Sequence, residues 1–289
     1  RIEGRIMMSE ADAGTDRPTW ELYSSGQRWL FLFILFLVSR SNYVDRHVMS
    51  VLLEPIKIEF GATDAQMGLL GGFAFGAFYA ILGLPVARLA DRGNRRTVIT
   101  LSLAAWSVMT MICGFAKSFP QLFLARMGVG VGEAGAIPPA QSLIADYFPP
   151  KQRARALGLF MASATAGYLI AFMGGAKPAQ SHGWRTAFIV LGAPGLLLCL
   201  LTWLGLKEPR LLPGRSLGRG PTEKLGETFA ALARKRGFVL LCIAQVLYFL
   251  VAYGAVTWFP AYLVRVLKLP LADVGVTYGA VGAGASLIG

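Results

Sequence analysis

Seven times along this chain an apolar stretch of about 20 residues runs between clusters of Gly, Pro and charge, the length a helix needs to cross a hydrocarbon core. The stretches are 27–53, 64–87, 97–116, 121–145, 156–176, 186–206 and 237–264, and an eighth begins near Leu271. None shows the period-two alternation of barrel strands, so the pattern predicts an all-α membrane protein. Thr63 and Gln66 predict a capping box at the start of the second helix.

Interruptions between the runs give the organisation. Residues 1–26 are polar and open on "RIEGR", which looks like the protease-site remnant of an expression vector; they are read as a loose tail outside the fold. Residues 27–206 form a six-helix bundle, and 207–236 a basic linker whose last part, 225–236, suits a short amphipathic helix. Residues 237–289 hold a seventh helix and part of an eighth. Near the eighth, "LADVGVTYGAVG" is similar to "TDAQMGLLGGFAFG", and Gly275 and Gly279 lie 207 residues after Gly68 and Gly72. A shift of six helices is what two parallel six-helix halves produce, and it predicts a second half of which this chain holds only the start.

Composition agrees. Hydrophobic residues make up 55% of the 289, charged residues only 15%, and mean hydropathy is +0.54; soluble domains carry nearer a quarter charged residues. The net charge of +12 suggests nucleic acid until its placement is read. Four, three and eight Lys or Arg follow helices 2, 4 and 6, whereas six in all follow helices 1, 3, 5 and 7. That asymmetry predicts a cytoplasmic N-terminus and cytoplasmic even-numbered loops, with no role for nucleic acid. Cys113, Cys199 and Cys242 all fall inside apolar runs and read as small hydrophobes. The sequence contains no Walker loop, nucleophile elbow, dinucleotide fingerprint or metal-ligand spacing, so neither enzyme, cofactor nor metal is expected.

Charges inside the apolar runs then demand a reason. Asp45 and Arg46 interrupt helix 1, and Arg126 and Glu133 interrupt helix 4. Each costs roughly 2.5–3.5 kcal/mol at mid-bilayer on insertion scales, a cost met mainly where ions, protons or substrates move. Arg126 and Glu133 are two turns apart and project from nearly one face, among Gly128, Gly130, Gly132 and Gly135. Burial disfavours an ionised Glu133 while a neighbouring Arg favours it, opposed effects that suit a proton site. In helix 1, Asn42, Asp45 and Met49 share a stripe, with Arg46 rotated about 100° away. Asp45 and Arg46 must therefore seek partners elsewhere, and Glu133 and Arg126 are the candidates. His47 reads first as a polar filler, Arg40 equally as pathway lining or packing, and Tyr168 as an interface anchor or a cavity wall.

After helix 2, "ARLADRGNRRTVI" resembles the signature loop of the major facilitator superfamily, with Ala87 and Asn94 standing where Gly is usual. "NYVDR", "DRGNRR" and "GVGEAG", with "GWRTAFIVLGAPGLLL" and "KEPR", narrow the similarity to its spinster branch. The resemblance implies a major facilitator fold and export or flipping of lysolipids or sphingoid lipids, coupled to protons. Asp45 and Glu133 would carry the protons. Arg46 and Arg126, with Asn42, Met49 and Tyr168, would bind substrate. Asp91, Arg92, Arg95 and Arg96, with Asp146 and Arg155, would form a cytoplasmic gate. The expected setting is a monomer among the lipids of a bacterial inner membrane. A carrier of small organic anions such as sugar acids is the alternative within the superfamily. A non-transporting receptor or scaffold is the alternative of another class.

Overall fold

The structure is a computed structural model and describes residues 18–212 and 225–288. Most of the tail expected over 1–26 and the middle of the linker lie outside the described residues. Each expected run is helical, and no strand occurs among the described residues.

Helix α1 (Ser25–Phe60) starts at a capping box, Ser24 accepting from the Gln27 amide. It runs two turns beyond its expected end at Leu53. Pro55 forfeits one backbone hydrogen bond, but burial of Leu52, Leu53 and Ile56 around it holds the helix until Gly61, which turns the chain at φ 60°. Helix α2 (Asp64–Arg92) opens on the Thr63–Gln66 box and contains a wide π turn at Leu69–Phe73. Helix α3 (Arg95–Gly114) is capped by Asn94, whose side chain accepts from the Thr97 amide. The Asn that departs from the signature pattern is thus the residue that starts α3.

Helix α4 (119–147) is split into Phe119–Glu133 and Ile137–Tyr147. Pro138 and Pro139 cause the split, because an unbroken helix would drive their rings into the carbonyls of Ala134 and Gly135. The break falls immediately after Glu133. Helices α5 (Pro150–His182) and α6 (Trp184–Gly205) complete the bundle. A short helix, Leu225–Ala233, precedes α7 (Arg236–Arg265) and α8 (Leu271–Ile288).

α1 packs against α5 and α6, while α3 packs against α6 and the first half of α4. Glycine sets how closely α3 and α4 approach: a Cβ on Gly132 would stand 2.6 Å from the Trp106 backbone nitrogen. The buried interior includes Ile34, Leu35, Leu52, Trp106, Phe160 and Phe188. Leucines at the periphery are bare, Leu197 to 76% and Leu250 to 70%, a surface that only lipid or further protein satisfies. α2, α3, α5, α6 and α7 are each long and apolar enough to cross a membrane. α1 and α4 carry the buried Asp45, Arg126 and Glu133.

Candidate functional site

Arg46 and Glu133 meet. The Arg46 Nε donates to Glu133 Oε2 at 2.8 Å, with Glu133 wholly buried and the Arg46 side chain 13% exposed. Glu133 is held at the last turn of the first half of α4. Arg46 is held by aromatic faces: its guanidinium lies 4.6 Å from the Tyr79 ring, 5.1 Å from Phe75 and 5.7 Å from Tyr43. Phe75 and Tyr79 follow the π turn of α2, which inserts a residue and rotates the rest of that helix relative to a regular one.

Arg126 and Asp45 also meet, in an unexpected way. The Arg126 Nη1 donates to the backbone carbonyl of Asp45 at 3.2 Å, and the guanidinium lies 5.7 Å from the Phe75 ring. The Asp45 carboxylate faces Thr110 and Trp106 of α3 instead. Asn42 lies beside Glu133. These side chains, all buried or nearly so, leave bonds unmade. Asn42 Oδ1 and Nδ2, Asp45 Oδ1, Arg46 Nη2, Arg126 Nε and Glu133 Oε1 lack well-formed hydrogen bonds to protein atoms. Buried polar groups are rarely left so, and a cluster of them marks a place where water, ions or ligand complete the set.

The other expected binding residues sit differently. Met49 is buried and approaches Gly71 of α2. Tyr168 belongs to a separate aromatic group on the α5–α8 seam, with ring centroids 4.5 Å from Phe172, 6.1 Å from Tyr278 and 5.2 Å from His47. Phe75, Tyr79, Trp106 and Thr110 belong to this site and are not singled out by the sequence. The available signal was a polar row, Trp106, Ser107 and Thr110, within an otherwise apolar α3.

At the end of the bundle where α1 begins, the basic end, Arg95 is buried and makes a tight knot. Its Nη2 donates to Asp146 Oδ2 and to Glu208 Oε1, each at 2.6 Å, and its Nη1 to Ser142 Oγ at 2.8 Å. The backbone nitrogen of Arg95 donates to Glu208 Oε2 at 2.8 Å. Of the six residues expected at a gate, Arg95 and Asp146 are therefore brought together. Arg96 stacks on Trp203 at 4.6 Å, and Asp91 offers its backbone carbonyl to Arg210. Arg92 and Arg155 are exposed, Arg155 over the Trp29 ring. Glu208, which completes the knot, lies in "KEPR" at the mouth of the linker and was not among the expected gate residues.

The opposite end carries contacts between α7 and the six-helix bundle. Arg265 closes α7 by donating to Glu54 of α1 at 2.5 Å and to Asp64 of α2 at 2.8 Å. Nearby, Gln180 of α5 accepts from the Ala272 amide that begins α8. Glu59 pairs with Arg185 and accepts from the Trp184 indole, and the Arg185 hydrogen bond holds its carboxyl below the usual carboxylate range. Residues 236–251 of α7, toward the basic end, are exposed, whereas Pro260 and Ala261 are buried.

A model of the Major Facilitator Superfamily matches residues 30–289. An MFS-type efflux pump of Mycolicibacterium smegmatis is 35% identical over 272 residues, covering 94% of this chain and 63% of the pump. A probable galactarate/D-glucarate transporter of Bacillus subtilis is 29% identical over 275 residues, 86% of this chain and 60% of that protein. Among solved structures, a bacterial homologue of the human lysosomal transporter Spinster, in an inward-facing and unoccupied conformation, superposes with a TM-score of 0.80. It is 36% identical, and the match covers 92% of this chain and 61% of that one. The chain thus spans about six tenths of the length of these relatives.

Proposed function

The chain belongs to the Major Facilitator Superfamily, and from that premise we propose that the α1–α4 cluster is the proton-coupled binding site of a secondary transporter for a lipid-like anion. The observation that carries this reading is the set of unmade bonds on Arg46, Arg126, Asn42, Asp45 and Glu133, buried together where their cost is highest. Arg46 and Arg126, each with a buried nitrogen that lacks a well-formed hydrogen bond, suit an anionic head group, and Asn42 sits beside Glu133 as a further polar group. Aromatic faces on Tyr43, Phe75 and Tyr79 accompany Arg46 and suit the first carbons of a chain. A proton on Glu133 would remove the charge opposing Arg46 and free that guanidinium for substrate; Asp45 is the second proton site.

Alternating access supplies the movement, with the basic end at the cytoplasm of a bacterial inner membrane. Arg265 then clamps the outer side, which suits the inward-facing state of the Spinster homologue. Arg265 is partly exposed, so its two ion pairs bias that state only modestly and in a salt-dependent way. Arg265→Ala is expected to shift spin-label distances between the outer ends of α1 and α7 toward longer values. An unchanged distance distribution would remove the clamp from the mechanism.

A sugar-acid carrier is the second reading, favoured by likeness to the galactarate/D-glucarate transporter. A screen of the full-length protein in liposomes, lysolipids against sugar acids under a proton gradient, separates the two. For the lipid reading, lysolipid moves, and Asp45→Asn abolishes uphill accumulation while sparing downhill exchange. Gradient-driven lysolipid accumulation by Asp45→Asn equal to wild type would defeat the coupling role. Flux of sugar acids alone would transfer the site to the second reading. A receptor or scaffold predicts no flux of either.

A further inference from the structure

Arg40 is a half-buried charge within α1 that the α1–α4 cluster does not use. It sits a turn and a half before Asp45, makes no hydrogen bond or ion pair with any described residue, and its Nε is buried without a partner. An arginine inside the bilayer carries a solvation cost, so an idle one is a poor explanation of its presence.

Arg40 lines a groove of about 300 Å³ bounded by α1, α5 and α6. Ser41 is the other polar side chain there; Leu37, Val44, Ile170, Pro194 and Leu198 are among the apolar ones. On α6 the rim is formed by Val190, Leu197 and Leu201, which are 49%, 76% and 42% exposed on the surface that faces lipid. The groove therefore opens sideways to the bilayer and holds one cation in an apolar wall. At the low end of ligand-site volumes, it accommodates one head group and the start of one chain.

We propose that this groove is a membrane-accessible binding site for a single-chain anionic amphiphile, its carboxylate or phosphate on Arg40 and its tail along the exposed face of α6. Charge complementarity selects the head group, and the lipid-facing rim selects an occupant arriving from the membrane rather than from water. The site is separate from the α1–α4 cluster, and the proposal holds whether that cluster carries a lipid or a sugar acid.

Binding to the purified full-length protein in detergent tests this, with oleate, lysophosphatidylglycerol, lysophosphatidylcholine and inorganic phosphate as probes. Oleate and lysophosphatidylglycerol distinguish the carboxylate from the phosphate source, and binding of either supports the site. A charge-assisted hydrogen bond is worth about 1.5–3 kcal/mol, so Arg40→Gln is expected to weaken the anionic probes about 10- to 100-fold. Arg40→Lys retains most of the affinity, and Leu201→Trp, which fills the rim without touching the charge, weakens the same probes. Should Arg40→Gln fail to fold, Leu201→Trp and competition between probes still decide. Equal binding of lysophosphatidylcholine, phosphate binding as well as the amphiphiles, or unchanged affinity in Leu201→Trp would overturn the proposal.

Discussion

Arg95→Ala is expected to destabilise the six-helix bundle by about 3–5 kcal/mol, the cost of leaving a buried carboxylate without its cation. Arg95 and Glu208 side chains are both 1% exposed, and the guanidinium reaches Glu208 through two nitrogens while also holding Asp146 and Ser142. Truncation would leave Glu208 with the amides of Arg95 and Arg210 as its donors, too few for a charge at this depth. Arg95→Lys should fall between, because one ammonium cannot reproduce the planar fork that spans three acceptors. The double change Arg95→Met with Glu208→Met should recover most of the loss, since well-packed apolar replacements of a buried pair are often neutral. Asp91→Asn, on an exposed side chain, is expected to move stability by no more than about 0.5 kcal/mol. Midpoints of unfolding for the purified full-length variants check the series. An Arg95→Ala midpoint equal to that of Asp91→Asn would mean the knot contributes nothing.

Both ends of the molecule acquire distinct work from this arrangement. The Arg95 knot joins α3, α4 and the exit of α6, all within one bundle, so it fixes the helix ends of that bundle as a rigid body. The Arg265 contacts instead join α7 to α1 and α2, across the seam along which two bundles rock in the proposed cycle. A charged residue at a helix end can thus be structural at one end of the bundle and conformational at the other. Partner identity, rather than charge, distinguishes them.

The helices were legible because a bilayer imposes one length and one polarity on every segment that crosses it. Position within them was legible as far as regular geometry holds. The two-turn separation of Arg126 and Glu133 put both on one face of helix 4 as candidate partners for helix 1, and Arg46 did find Glu133. Rotamers are not encoded in spacing, so the sequence did not reveal that Arg126 reaches the backbone of Asp45 and not its carboxylate. Phe75 and Tyr79 escaped notice because an aromatic residue in an apolar run carries no mark of the cation it will face. Pro138 and Pro139 were visible, yet the run 121–145 was read as continuous; their rings decide where α4 breaks. Glu208 was hidden for a different reason: one carboxylate in a strongly basic linker looks solvated until folding brings Arg95 onto it.

Glu133→Gln carries the largest expected functional effect. The substitution preserves shape and removes the charge that Arg46 faces at 2.8 Å, with neither side chain more than 13% exposed. An unopposed cation there costs about 3–5 kcal/mol before relief. Three aromatic faces around Arg46 return part of it, on the order of 0.5–2 kcal/mol each when desolvated. Relief comes best from an anion, so the variant should hold an anionic substrate more tightly and release it more slowly. Its proton-driven flux should collapse, because no proton can any longer switch the charge on this side chain. Arg46→Gln alone should lose substrate affinity and leave Glu133 uncompensated. The double variant Arg46→Gln with Glu133→Gln should fold better than either single change but carry no coupled flux. Such non-additivity is the signature of two groups acting as a pair, with coupling energies of about 0.5–3 kcal/mol expected for residues in contact. Unfolding midpoints, substrate binding and flux under an imposed pH gradient measure the cycle on one set of proteoliposomes. Additive stabilities together with wild-type acceleration by the gradient in Glu133→Gln would show that the pair neither senses protons nor gates the anion.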